Sequence, residues 1–155
     1  MEEKIKRIYT SVIKEHFKNH RQMIFLSGPR QAGKTTVSLM AKEFTSQFSY
    51  LNWDNLDHRK IVLEGVKSVA SFAGLDELSS EEPIIVFDEI HKYGKWKTFL
   101  KGFFDTYKEK IKIVKVIKKR EATFVSPDPD QTMCIGIKLK RKLDQRAIFS
   151  LSKSK

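Results

Sequence analysis

Residues 28–35 limit the fold of this chain more than any other part of it, because they read Gly-Pro-Arg-Gln-Ala-Gly-Lys-Thr and fit the spacing G-x-x-x-x-G-K-T. A short apolar run at 23–27 precedes this string, and residues 34–46 have helical spacing. A strand, a glycine-rich loop and a helix in this order are typical of a phosphate-binding loop. The string therefore predicts an α/β fold in which helices flank a parallel sheet.

Each residue type in this loop has a physical reason for its position. Gly28 and Gly33 allow the backbone to approach a phosphate because neither has a Cβ atom. The N–H groups of the loop form an anion nest at the positive end of the following helix. Lys34 is predicted to bind the β- and γ-phosphates, and Thr35 to ligate Mg²⁺ through its hydroxyl. The motif thus predicts ATP and Mg²⁺ as cofactors, with these nucleotide-binding residues: Gly28, Pro29, Arg30, Gln31, Ala32, Gly33, Lys34, Thr35 and Thr36.

A second motif at 83–89 reads Pro-Ile-Ile-Val-Phe-Asp-Glu, an apolar run that ends in two acids. Such a run suits a strand buried on both faces, and acids after it emerge where ligands bind in open α/β sheets. A strand that merely ends in solvated acids is the simpler interpretation of this run by itself. Behind a phosphate loop we predict a Walker B motif, in which Asp88 holds the metal through water and Glu89 is the general base. The predicted catalytic residues are Glu89 and Lys34, and the predicted metal residues are Thr35 and Asp88.

Periodicity along the chain predicts helices and strands in alternation. Apolar residues at helical spacing predict helices at 2–18, 34–46, 57–64 and 96–110, with a weakly helical stretch at 66–80. Short apolar runs predict strands at 23–27, 49–53, 83–88 and 111–117, with two further candidates at 121–126 and 132–140. Asp57 is predicted to cap the helix that follows it. The alternation implies a parallel sheet with right-handed crossovers.

Charge is distributed unevenly along the 155 residues. The net charge is +11, and residues 108–155 alone carry 14 Lys/Arg against 5 Asp/Glu. This basic segment is predicted either to bind nucleic acid or to form a solvated face. We therefore divide the chain into a core at 1–117 and a basic C-terminal tail at 118–155.

Composition excludes several classes of protein and of site. No run approaches 18 apolar residues, so we predict no membrane span and no membrane partner. Cys134 is the one cysteine, which excludes an internal disulfide and a cysteine-built metal site. A single cysteine also fits a reducing compartment, so a cytoplasmic location is expected.

Four strings together resemble the prokaryotic AAA-type ATPases, and more narrowly the subgroup with a G-P-R-Q-x-G-K-T loop and a D-E-I-H-K Walker B. They are Gly-Pro-Arg-Gln-Ala-Gly-Lys-Thr-Thr at 28–36, Tyr-Leu-Asn-Trp-Asp at 50–54, Phe-Asp-Glu-Ile-His-Lys-Tyr at 87–93 and Trp-Lys at 96–97. The resemblance covers residues 1–114, and members of the subgroup commonly carry a C-terminal DUF4143 region. It implies an AAA-like core that binds and hydrolyses ATP with Mg²⁺, and the assembly of copies into a homo-oligomer.

The resemblance stops near residue 115. Members of the family end the next strand in a polar sensor residue, commonly within a T-G-S string, and continue into a helical lid. Here Lys-Val-Ile-Lys-Lys stands at 115–119, and residues 118–155 contain no string that reads as a lid. We therefore expect a P-loop core that lacks the lid, either because the gene is truncated or frameshifted or because the chain is a short variant.

These features leave three functions open. The first is an ATPase with weak hydrolysis of ATP to ADP and phosphate, because sensor and lid normally supply transition-state stabilisation. The second is a nucleotide-dependent module that binds nucleic acid through the basic tail, and the third is an inactive remnant of a larger ATPase. We expect the tail to be mobile or loosely docked, with a strand around Ile135 able to pair with a sheet edge. For His91 and Asp54, packing and helix capping compete with a direct role at the site.

Overall fold

Helices and strands largely alternate along the chain, as the periodicity predicts. The computed structural model describes residues 2–117 and 132–136. Its helices are α1 (Glu2–Asn19), α2 (Lys34–Leu39), α3 (Leu56–Glu64), α4 (Val66–Phe72) and α5 (Trp96–Tyr107). Its strands are β1 (Met23–Ser27), β2 (Phe48–Asn52), β3 (Ile84–Asp88), β4 (Lys112–Val116) and β5 (Thr132–Gly136). The predicted α/β class, a parallel sheet with flanking helices, is confirmed.

These strands form one parallel sheet in the order β2-β3-β4-β1-β5. β1 lies inside the sheet, where Ile24 pairs with Val114 of β4 and with Met133 of β5. β3 lies between β2 and β4, and its residue Val86 pairs with Tyr50 and with Val114. The carboxyl ends of the strands consequently meet at one edge, which is where ligands bind in open sheets of this kind.

Side chains alternate between two hydrophobic layers, one on each face of the sheet. One layer contains Phe25 and Phe87, and α3, α4 and α5 cover it. The other layer contains Ile24 and Val86, and α1 and α2 cover it. Burial of each large apolar side chain contributes about 1.5–3 kcal/mol to stability. Because β1 and β3 are covered on both faces, their sequences are near-continuous apolar runs.

The N-cap of α3 is not the residue that the sequence predicts. Asn55 caps this helix, and its side-chain oxygen accepts the backbone N–H groups of Asp57 and His58 at 2.9 and 3.1 Å. The prediction that Asp57 is the cap is therefore wrong. Asp57 lies inside the first turn instead, where its negative charge interacts favourably with the positive end of the helix.

Lys115 is a lysine inside the otherwise apolar centre of β4. Its side chain is fully buried, and its Nζ atom lies 3.1 Å from the centroid of the Trp96 ring. The attraction between an ammonium and an aromatic face offsets part of the cost of removing the charge from water. The basic string at 115–119 therefore begins in the core and not at the protein surface.

A segment of the predicted tail joins the sheet. Residues Thr132–Gly136 form β5, which pairs in parallel with all five residues of β1, from Met23 to Ser27. This agrees with the expectation that a strand near Ile135 can pair with a sheet edge. The other tail predictions, which concern a strand at 121–126, the mobility of the tail and the lid, lie outside the described residues. The division of the chain at residue 118 stays a prediction.

Candidate functional site

A cleft of about 1380 Å³ lies at the carboxyl edge of the sheet. All the predicted nucleotide-binding residues, 28–36, line it together with the two predicted acids, Asp88 and Glu89. The structure therefore brings the two sequence motifs together around one space. The cleft is also lined by seven residues outside the predicted site residues: Tyr50, Asn52, Asp54, His91, Lys92, Val116 and Ile117.

The loop at 28–35 reverses direction through left-handed backbone conformations. Gly33 has φ 80° and is the N-cap of α2, and Gln31 has φ 60°. A Cβ atom at Gly33 would meet no atom within 4 Å, so its backbone angle, not the lack of space, calls for glycine here. The helix predicted at 34–46 is split, because a 3₁₀ turn, Met40–Phe44, follows α2.

Lys34 is hydrogen-bonded to its own loop. Its Nζ atom donates to the carbonyl oxygens of Gly28 and Pro29 at 3.0 and 2.6 Å. Burial lowers the pKa of Lys34, and the negative charges of Asp88 and Glu89 act in the opposite direction. The ammonium is therefore held at the loop, close to both acids.

The Asp88 carboxylate is the centre of the site's hydrogen bonds. Its Oδ2 atom accepts from the hydroxyls of Thr35 and Tyr50, at 2.9 and 2.7 Å, and its Oδ1 atom accepts from the backbone N–H of Glu89 at 2.9 Å. Burial raises the pKa of the Tyr50 hydroxyl, and the hydrogen bond to Asp88 raises it further. Tyr50 therefore keeps its proton at neutral pH and acts as a donor. Asp88 itself is buried, so these partners replace water around its oxygens.

Glu89 has a left-handed backbone, with φ 54° and ψ 10°, at the start of a 3₁₀ turn, Ile90–Lys92. A non-glycine residue in this region stores about 1–3 kcal/mol of strain, which is common at functional sites. The Oε2 atom of Glu89 lies 3.0 Å from Nζ of Lys92 and 3.5 Å from Nε2 of His91. Lys92 also pairs with Asp54 at 2.6 Å. The pKa of Lys92 is raised by the hydrogen bond to Asp54 first and by the one to Glu89 second.

Four residues of the strings that carry the family resemblance lie in different environments. The His91 side chain is almost fully enclosed beside Glu89, whereas Arg30 is exposed at the rim of the cleft. Asp54 lies beyond the end of β2 and forms an ion pair with Lys92, not a helix cap. Trp53 stacks on Tyr93 with ring centroids 4.9 Å apart, which is a packing role.

Sequence reasoning missed Tyr50 and Lys92 as members of the site. Tyr50 lies in a strand, where an aromatic residue usually indicates packing. Lys92 follows Glu89 by three residues, in a string in which roles were assigned only to the two acids. Both residues lie in strings that carry the family resemblance, at 50–54 and 87–93. The physical signals for them are the register of neighbouring parallel strands and the i, i+3 spacing of opposite charges, and neither is specific.

Comparison with known proteins identifies the family of this chain. The sequence matches the AAA domain family over residues 20–116. The chain belongs to the AAA domain family. Among solved structures it is similar to PCH-2 of C. elegans, with a TM-score of 0.54 and 17% sequence identity. The match covers 86% of this chain and 39% of PCH-2, so the chain spans well under half the length of that protein. No curated protein matches the sequence.

Family and fold together define a nucleotide-binding, ATPase-type AAA domain. At 17% identity the likeness to PCH-2 supports the AAA fold alone. No helix in the described part of the chain is long and apolar enough to cross a membrane. The basic residues behind the nucleic-acid prediction lie mostly at 118–155, and the structure describes only 132–136 of that segment.

Proposed function

We propose that this AAA domain binds ATP with Mg²⁺ in the cleft and hydrolyses it slowly. The observation that carries the proposal is the 2.9 Å hydrogen bond from Thr35 Oγ1 to Asp88 Oδ2. This bond joins the glycine loop to the end of β3, so a hydroxyl and a carboxylate meet near the Lys34 ammonium. Enzymes that catalyse phosphoryl transfer place an ammonium that binds the phosphates beside oxygen ligands that hold a metal ion.

The residues around this bond fit Mg²⁺. Mg²⁺ is usually held by one or two protein oxygens together with phosphates and water. In the proposal Thr35 would hold the metal through its hydroxyl and Asp88 through water, and the bound ion would neutralise charge on the phosphates. The described residues contain no group of three or more His, Cys, Asp or Glu side chains that could hold a metal ion. We therefore expect the metal to bind together with the nucleotide.

Lys34 and the loop have the roles that the motif predicts. The loop residues 28–36 surround the phosphates with backbone N–H groups, and Lys34 exchanges its two carbonyl partners for phosphate oxygens. The strings at 28–36 and 87–93 further support membership of the G-P-R-Q-x-G-K-T subgroup. The catalytic core in this proposal is 1–117.

Two features support slow hydrolysis. Glu89 is the proposed general base, but its carboxylate is paired with Lys92. The end of β4 contributes Val116 and Ile117 to the cleft, at the place where the family resemblance implies a polar sensor residue. Apolar side chains there cannot stabilise the charge that develops on the phosphate in the transition state.

Calorimetric titration with ATP tests the proposal, with Mg²⁺ in one series and a chelator in the other. We expect binding that is tighter with Mg²⁺, and phosphate release far below the roughly 10 s⁻¹ of a typical enzyme. Glu89→Gln should abolish the release and leave ATP binding intact, and Glu109→Gln, a surface change on the loop after α5, should alter neither. No ATP binding by the wild-type protein would overturn the proposal, and rapid hydrolysis would overturn the argument from Val116 and Ile117.

A further inference from the structure

We propose that Tyr50 is a positioning residue, which orients the Asp88 carboxylate so that it can accept from a water molecule bound to the metal. The inference rests on the proposed function, because this orientation matters only if ATP and Mg²⁺ bind in the cleft. It starts from the 2.7 Å hydrogen bond between the Tyr50 hydroxyl and Asp88 Oδ2. Neither motif contains Tyr50, and its hydroxyl comes from a different strand than Asp88.

Strand register explains how Tyr50 reaches Asp88. Asn52 of β2 is paired with Asp88 of β3, and Tyr50 is paired with Val86. Tyr50 is therefore the diagonal neighbour of Asp88, at a separation that an aromatic side chain can span. Its ring packs against the hydrophobic layer under α1 and α2. A ring held by packing presents its hydroxyl at one position, which is what an orienting donor requires.

The hydroxyl group, more than the ring, is what this position requires. Phenylalanine could fill the same space in the layer, and a tyrosine hydroxyl removed from water costs free energy unless it is hydrogen-bonded. Tyr50 is half-buried, and Asp88 supplies the partner. The contact therefore satisfies the hydroxyl and at the same time fixes the acid.

The hydrogen bonds on Asp88 leave a defined place for a water molecule. A carboxylate has about four acceptor sites. Thr35 and Tyr50 donate to Oδ2, and the N–H of Glu89 donates to Oδ1. The remaining site is then on Oδ1. Without the Tyr50 hydroxyl, Oδ2 also has an open site, and the carboxylate can turn or offer the wrong oxygen to the water.

The test is the Mg²⁺ dependence of ATP binding in Tyr50→Phe. Mg²⁺ is titrated into protein with subsaturating ATP, and ATP affinity is measured separately in EDTA. We expect the Mg²⁺ concentration at half-effect to rise about tenfold or more, as is usual when a residue that orients a metal ligand is removed. Affinity in EDTA should not change. Tyr107→Phe makes the same chemical change in α5, away from the cleft, and should leave both measurements as in wild type.

A double-mutant cycle with Asp88→Asn separates positioning from a general effect on folding. In the Asp88→Asn background, Tyr50→Phe should have no further effect on the Mg²⁺ dependence, because the carboxylate it orients is gone. An unchanged Mg²⁺ dependence in Tyr50→Phe, or an equal loss of ATP affinity with and without Mg²⁺, overturns this inference and leaves the proposed function standing. A wild-type protein that does not bind ATP overturns the proposed function and this inference with it.

Discussion

Nζ of Lys92 lies 3.0 Å from Oε2 of Glu89, the acid that we propose as the general base. Lys92 also pairs with Asp54, so it links Glu89 to the segment after β2. A carboxylate held by an ammonium is less free to orient an attacking water. We therefore expect this pairing to slow the hydrolysis that we propose.

We predict that Lys92→Gln raises the rate of phosphate release several-fold. The substitution removes the positive charge beside Glu89 and frees its carboxylate. The expected increase in rate is small because an exposed ion pair is weak. Lys95→Gln, at an exposed lysine just before α5, is the matched control and should behave as wild type. A rate that falls or stays constant in Lys92→Gln would show that Lys92 supports Glu89 instead of opposing it.

The N-cap of α3 allows a stability prediction in which two neighbouring residues are compared. Asn55→Ala removes the acceptor for the N–H groups of Asp57 and His58, and should lower the free energy of unfolding by about 1 kcal/mol. Asp57→Ala removes a favourable charge in the first turn, worth about 0.3–1 kcal/mol, and an exposed ion pair with Lys60 that contributes little. Urea denaturation of both variants measures the difference, and a larger loss in Asp57→Ala would contradict the observed cap.

His16 should make stability depend on pH. Its side chain is buried in α1, and its Nε2 atom donates to the carbonyl oxygen of Gln22 at 3.0 Å. Burial lowers the pKa of His16; the hydrogen bond to Gln22 opposes this, and the nearby His20 and Lys112 lower it further. The folded protein therefore keeps His16 neutral at a pH where the unfolded chain, with a pKa of about 6.5, takes up a proton.

The free energy of unfolding should consequently fall as pH drops below about 6.5, with a slope of at most about 1.4 kcal/mol per pH unit from this group. The loss continues until the pH reaches the lowered pKa of His16 in the folded state. Denaturation of wild type and His16→Gln at pH 7.5, 6 and 5 isolates this contribution, with Lys14→Gln, an exposed change in the same helix, as the control. Parallel pH profiles for wild type and His16→Gln would contradict the prediction.

Motif residues were predictable because their chemistry restricts both residue type and spacing. The string at 28–35 places a glycine at position 33, where the backbone is left-handed. The apolar runs of β1 and β3 allowed these strands to be predicted, because helices cover both faces of the sheet and both faces of each strand are apolar. Pattern and structure therefore agree for the glycine loop and for the two buried strands.

Contacts between segments that are distant in sequence could not be predicted. The hydrogen bond from Tyr50 to Asp88 joins residues 38 apart, and it depends on strand order and register, which periodicity does not give. Lys115 shows the same limit in the core, since an aromatic ring from α5 makes its burial tolerable.

The cap of α3 was misread for a local reason. Asn55 and Asp57 are both good cap residues and lie two positions apart.

The most direct test of the account is the affinity of Lys34→Ala for ATP with Mg²⁺, measured by titration calorimetry beside wild type and Lys42→Ala. Lys42 is an exposed lysine in the 3₁₀ turn after α2, so its substitution removes the same charge outside the cleft. We predict wild-type binding in Lys42→Ala and at least a tenfold weaker affinity in Lys34→Ala, equal to about 1.4 kcal/mol. Equal affinities of Lys34→Ala and wild type would contradict the account.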